Sequence, residues 1–275
     1  MIPAQFEYRR AATAEEAVRL LSELGDDAKV LAGGHSLVPL MKLRLARPEV
    51  LVDISRLPDL SYVRGDDGDI AIGALTRHHD LARSDLLARE LPLMAAAAGQ
   101  IGDPQIRHRG TIGGSIAHGD PASDLAGVVL ALDGTLVLQG PDGRRRVAGR
   151  QFFTGFMETV MAPNELLVEI RVPRPTATGW SFQKFNRRAH DWAIVGVAAV
   201  ALGDGKAGVA LINMAQTPIR AAGTEEALAG GASAADAAEH ASDGIEPRVD
   251  INASRQFRRH LATVLVRRAL EEAGV

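Results

Sequence analysis

The segment 99–124, GQIGDPQIRHRGTIGGSIAHGDPASD, constrains this chain more than any other. A helix or strand of ordinary length needs apolar residues at a period of 3.6 or 2, and this stretch sustains neither. It is rich in Gly and broken by Pro104 and Pro121, so it reads as a long loop around which the rest must fold. Long loops within compact domains are uncommon and usually functional. A second glycine pair lies upstream in Ala32-Gly33-Gly34-His35-Ser36-Leu37, resembling Gly110-Thr111-Ile112-Gly113-Gly114-Ser115 in that a hydroxyl residue follows the pair. Adjacent glycines can take positive φ and turn successive N–H groups toward one point, an anion nest that suits a pyrophosphate. Ser36 also precedes an expected helix, whose first N–H groups could share that role.

The elements around these loops can be placed. Thr13 and Glu16 have capping-box spacing ahead of Ala17, Val18, Leu20, Leu21 and Leu24, predicting an amphipathic helix that stops at Gly25. Val30–Ala32 and Val50–Ile54 read as strands, giving residues 1 to about 55 a βαβ character. A strand at Ile70–Ile72 and helices within 76–83, 86–98 and 122–132 follow. Thr135–Gln139 and Arg144–Val147 form a hairpin turned by Pro141-Asp142-Gly143, and Leu166–Val172 runs into Pro173-Arg174-Pro175. The prolines place a domain boundary at about 173–177. Beyond it, strands at Trp180–Asn186, Ala193–Leu202 and Gly208–Met214 precede helices at about 222–229, 233–241 and 254–273, so the fold class is α+β. Gly203-Asp204-Gly205-Lys206-Ala207-Gly208 matches a dinucleotide fingerprint in letters only. No helix opens within it, and it reads as a hairpin turn.

The 275 residues contain no Cys, which excludes disulfides, thiolate nucleophiles, Cys-ligated zinc and an iron–sulfur cluster held by this chain. Lys plus Arg number 31 against 34 Asp plus Glu, a formal charge of -3 that gives no footprint for nucleic acid. No apolar stretch reaches the ~20 residues of a membrane span, and MIPAQFEYRR lacks a signal-peptide core. The expectation is a cytoplasmic protein, free or peripheral at the inner face of the membrane, with export on a twin-arginine partner left open. No Ser/His/Asp triad is legible. His108, His118, Asp120 and Asp124 could be imagined as metal ligands, but no spacing among them is diagnostic. His78 and His79 read as surface residues, Lys184 as an exposed strand lysine, and Arg255, Arg258, Arg259, Arg267 and Arg268 as a solvated helix face.

VLAGGHSLVPLMKLR, VLVDISRL, IGDPQIRHRGTIGGSIAHGDPASDLAGVVLALDG and KFNRRAHDWAIVGVAAVAL resemble the FAD-binding medium subunits of molybdenum hydroxylases. The similarity is to the carbon monoxide dehydrogenase type and, more distantly, to the xanthine dehydrogenase flavin domain. The resemblance implies a two-part FAD-binding domain of the vanillyl-alcohol-oxidase (PCMH) kind over 1–175, with subdomains of about 1–55 and 56–175. A smaller C-terminal domain with an antiparallel sheet and helices follows over 176–275. It implies a first FAD loop at Val30, Leu31, Ala32, Gly33, Gly34, His35, Ser36 and Leu37, and a second at Thr111, Gly113, Gly114 and Ser115. Asp124 matches an acidic FAD contact, Asp120 stands beside it as a contact or a helix cap, and Leu167 and Lys184 match positions near the isoalloxazine. Phe182 stands where a relative has an aromatic near the ring, and Asp103 replaces an expected Asn. No catalytic residue and no metal ligand is implied within this chain. The implied partners are a small [2Fe–2S] subunit and a large molybdenum-cofactor subunit, in a dimer of heterotrimers that delivers electrons to an acceptor such as a quinone. A stand-alone FAD reductase or oxidase, a metal-dependent hydrolase and a flavin-free assembly protein are the competing readings.

Overall fold

The computed structural model describes residues 2–174 and 178–275, so Pro175 and the last part of the expected boundary lie outside the described residues. The chain opens with β1 (Glu7–Arg10), α1 (Ala14–Leu24), β2 (Ala28–Leu31), α2 (Leu37–Lys42) and β3 (Val50–Asp53). The strands form a parallel sheet in the order β1-β3-β2. Thr13 Oγ1 accepts from Glu16 N–H at 3.1 Å and Glu16 accepts from Ala12 N–H at 2.7 Å, which starts α1 as the spacing predicts. Its apolar stripe then covers the sheet. The sequence reading did not anticipate β1, because its side chains are mostly exposed and carry no apolar alternation.

Next come β4 (Val63–Asp66), β5 (Asp69–Gly73), α3 (His78–Ala82), α4 (Asp85–Glu90) and α5 (Pro92–Gly99). The single helix expected over 86–98 is two, because Pro92 begins α5 and ends α4 at the residue before. The long segment is not the loop its sequence predicts. It holds α6 (Pro104–Arg109) and α7 (Ile112–Ala117), capped by Asp103, which accepts from Ile106 N–H at 2.8 Å, and by Thr111, which accepts from Gly114 N–H at 3.1 Å. Helices of six residues are too short to show a period, so only their caps signal them. Asp103 is thereby accounted for as a cap.

After α8 (Asp124–Ala131) come β6 (Thr135–Gly140), β7 (Gly143–Ala148), α9 (Gly149–Phe152), β8 (Phe153–Gly155), β9 (Glu158–Thr159) and β10 (Leu166–Pro173). A five-stranded antiparallel sheet, β4-β5-β10-β6-β7, backs α5, α7 and α8. Pro173 still belongs to β10, opposite Asp69.

The C-terminal part is an antiparallel sheet of β11 (Gly179–Phe185), β12 (Val195–Gly203), β13 (Lys206–Ile212) and β14 (Ile219–Arg220), with α10 (Ala222–Ala229), α11 (Ala234–Glu239) and α12 (Arg255–Ala273) on one face. Alternation sorts β12: Val195, Val197 and Ala199 face these helices, while Ala198 and Val200 face α8 and the N-terminal core. All of α8 is buried, sandwiched between the two parts. Gly203, Asp204 and Gly205, all at positive φ, turn the β12–β13 hairpin, which removes the false fingerprint. The arginines of α12 are not one solvated face. Arg258 is 0% exposed, donates to Asn213 O at 3.0 Å and pairs with Asp250 at 2.6 Å. No helix among the described residues is long and apolar enough to cross a membrane.

Candidate functional site

A cleft of about 630 Å³ runs between the loop after β2, the 101–124 segment, the β9–β10 connection and the β11–β12 connection. That volume is in the range of cofactor sites. Beyond Leu31 the chain must reverse into α2, and Gly34 does so at φ +78°. Gly33 is required for a different reason. A Cβ there would collide with the Arg109 carbonyl, which the Arg77 guanidinium also holds, so the two glycine segments touch backbone to backbone.

The two segments differ in their donors. Among the described residues, the N–H groups of Gly33 through Leu37 have no acceptor within the protein, and Ser36 makes no side-chain cap bond. The second segment uses its donors internally. Ile112 N–H donates to Thr76 O at 3.1 Å, Gly113 N–H to Ala74 O at 2.8 Å, Gly114 N–H to Thr111 Oγ1, and Ser115 N–H to Thr111 O at 3.0 Å. Only the first loop is therefore an open nest, and the second shapes the cleft through the Gly114 backbone and the Ser115 hydroxyl, which meets Ser123 Oγ at 2.9 Å.

The charged pair of the cleft follows from the pleat of β11. Phe182 faces the N-terminal core, so Lys184, two residues on, faces the same way and reaches the first turn of α8. Its Nζ donates to Asp124 Oδ2 at 2.6 Å and to Gln100 O at 3.3 Å, with the two side chains 5% and 4% exposed. Lys184 is not the exposed strand lysine that its local sequence suggests. Burial pushes the Asp124 carboxyl above the usual carboxylate range, and the ammonium beside it pulls it part of the way back. Asp124 Oδ1 is buried with no hydrogen-bond partner.

Val30, Ala32, Gly33, Gly34, His35, Ser36, Leu37, Thr111, Gly114, Ser115, Asp124 and Lys184 all line the cleft. Four expected residues stand outside its walls. Leu31 alternates away from Val30 and Ala32, and Gly113 packs against Ala74, where a Cβ would stand 2.6 Å from its carbonyl oxygen. Asp120 closes a local turn by accepting from Ala122 N–H at 2.8 Å, and the cap position of α8 is Ser123. Leu167 is core, paired with Leu138 across β10 and β6, and Phe182 is buried in the same core. The imagined metal ligands are not assembled: His108 stacks on His79 at 3.9 Å, Asp124 is paired with Lys184, and no three His, Asp or Glu among the described residues are placed to hold a metal.

His78, His190 and Trp192 also stand in the walls, beyond the residues the sequence predicts there. His190 Nδ1 donates to Gly102 O at 2.9 Å, and Trp192 stands at the cleft 59% exposed. Their one signal was position: a Trp in an aromatic-poor chain, ahead of the apolar run of β12. His78, expected at the surface, is 4% exposed. Unpaired amides at one place and a buried carboxylate at another suit an extended ligand with an anionic group and hydroxyls.

Residues 4–175 match the family described as the FAD binding domain in molybdopterin dehydrogenase, and residues 180–273 match the CO dehydrogenase flavoprotein C-terminal domain. The carbon monoxide dehydrogenase medium chain of Hydrogenophaga pseudoflava is 44% identical over 99% of this chain and 98% of its own length. The 6-hydroxypseudooxynicotine dehydrogenase complex subunit alpha of Paenarthrobacter nicotinovorans is 40% identical over 99% of this chain and 96% of its own. Among solved structures, carbon monoxide dehydrogenase from Hydrogenophaga pseudoflava superposes with a TM-score of 0.95 at 44% identity, covering 100% of this chain and 99% of that one.

Proposed function

The chain belongs to the family of FAD-binding domains of molybdopterin dehydrogenases, and from that premise we propose that it is the flavin subunit of a multi-subunit molybdenum hydroxylase. It holds one FAD in the cleft and serves as the electron outlet between a [2Fe–2S] subunit and an external acceptor such as a quinone. The observation that carries this reading is the row of unpaired N–H donors at Gly33–Leu37 in the same cleft as the orphaned Asp124 Oδ1. FAD fits that donor set. Its diphosphate suits the open nest, its hydroxyls suit the carboxylate, and Gly34 at φ +78° turns the chain that presents the nest.

FAD, when bound, supplies the capacity to accept electrons and release them singly or in pairs. The chain's own residues bind, orient and set charge. Val30 and Ala32 through Leu37 would hold the diphosphate, Thr111, Gly114 and Ser115 would form the opposing wall, and Lys184 with Asp124 would supply the charged pair of the site. Leu31, Gly113, Asp120 and Leu167 act from behind, as packing and turn residues. Residues 1–175 form the FAD-binding domain and 176–275 the C-terminal domain that closes the cleft.

With no Cys in this chain, the iron–sulfur cluster is ligated by a separate small subunit and the molybdenum cofactor by a large one, the three doubled into a dimer of heterotrimers. We place the complex in the cytoplasm, where a quinone acceptor would be met at the inner face of the membrane. The purified complex, stripped of flavin and assayed with substrate and acceptor, is expected to lose acceptor reduction and regain it with added FAD. Reduction at the normal rate without flavin would overturn the outlet role.

A further inference from the structure

His78 begins α3 in the cleft wall, and its backbone N–H donates to Gly110 O at 3.1 Å. The imidazole lies against Gly110, where an added Cβ would stand 2.7 Å from Cδ2 and 2.9 Å from Nε2. Gly110 in turn abuts the first loop, since a Cβ on Gly33 would lie 3.0 Å from Gly110 Cα. His78, Gly110 and Gly33 are thus neighbours in the cleft wall, next to the unpaired amides.

Nδ1 of His78 is sealed from solvent without a partner, and no hydrogen bond to Nε2 is made among the described residues. With Nδ1 enclosed, Nε2 is the ring nitrogen of this wall residue left free to meet a ligand. Burial first, and then the charges of Arg77 and Arg107, keep the ring neutral, its pKa pushed down to about 4. A neutral imidazole carries one N–H, and with Nδ1 enclosed the useful tautomer puts it on Nε2, at the cleft side. The cationic surroundings that disfavour a charged ring favour an anion beside it.

We infer that His78 donates its Nε2–H to a phosphate oxygen of the dinucleotide diphosphate seated in the Gly33–Leu37 nest. The inference rests on the reading of this cleft as an FAD site. In it, the first loop supplies backbone donors from one side and His78 supplies a side-chain donor from the α3 wall beside Gly110.

The test uses the full chain in its deflavinated complex, titrated with FAD, with ADP as a diphosphate lacking flavin, and with riboflavin as a flavin lacking phosphate. His78→Leu is expected to weaken FAD and ADP by about tenfold or more and to leave riboflavin unchanged. His78→Gln, whose amide nitrogen reaches the Nε2 position, should recover most of the loss. Should the leucine variant fail to fold, His78→Asn, whose amide reaches only the Nδ1 position, carries the same expected loss. ADP binding at the wild-type level in these variants, no rescue by Gln, or an equal loss for riboflavin would overturn the assignment. A wild-type complex that binds neither FAD nor ADP would instead sink the dinucleotide reading itself.

Discussion

Lys184 meets Asp124 at 2.6 Å with both side chains almost out of water, so neither charge can be removed without stranding the other. Lys184→Met leaves a buried carboxyl whose pKa, already raised, rises further. The folded state then binds that proton more tightly than the unfolded chain, so the variant's stability falls as pH climbs from about 4 through the raised value. At neutral pH the loss should be about 3–5 kcal/mol, measured by denaturant unfolding at several pH values. In the flavin-loaded protein, Lys184→Met is expected to lower the flavin potential and Asp124→Asn, which leaves the ammonium bare, to raise it; identical potentials would refute a role for the pair. His78 supplies the opposite slope. Its pKa lies near 4 in the fold against 6.5 as the ordinary value, so between those limits only the unfolded chain is protonated and stability rises with pH. The span is worth about 3 kcal/mol, and His78→Leu should flatten it. A lysine two residues from a core Phe could have been placed inward from the pleat alone, whereas nothing in Arg77-His78-His79-Asp80 marks which histidine is buried.

At the scale of elements, the cleft depends on short pieces held by single caps and one close approach. Thr111→Ala should cost about 1 kcal/mol through the lost cap on α7 and lower the melting temperature, whereas Thr111→Ser keeps it. Gly33→Ala should do more damage than its size suggests, since the added methyl meets the Arg109 carbonyl and parts the two glycine segments. Flavin content and circular dichroism of that variant check it, and normal loading would contradict the packing role. The amphipathic α1, the β6–β7 hairpin, the strands β11 to β13 and the 19-residue α12 were legible because each spans enough residues to show its period. Within 99–124 the sequence named residues that line the cleft but not the structure that holds them: α6 and α7 are shorter than two helical turns, and their glycines serve close packing and capping in place of a second nest.

Across the whole molecule, the cleft is completed from both ends of the sequence. Lys184 and His190 of the C-terminal part reach the carbonyls of Gln100 and Gly102, Asn213 N–H donates to Pro121 O at 2.8 Å, and α8 lies buried between the two sheets. These long-range contacts are why Asp124 and Lys184 could be paired only once the fold was known. The same construction makes the cleft a property of the full chain. The direct test is to purify the chain with its partners, record the visible spectrum, denature the protein and identify the released flavin by chromatography against protein concentration. One FAD per chain is the result this account predicts. Absence of flavin, with no binding of added FAD by the complex, would contradict it.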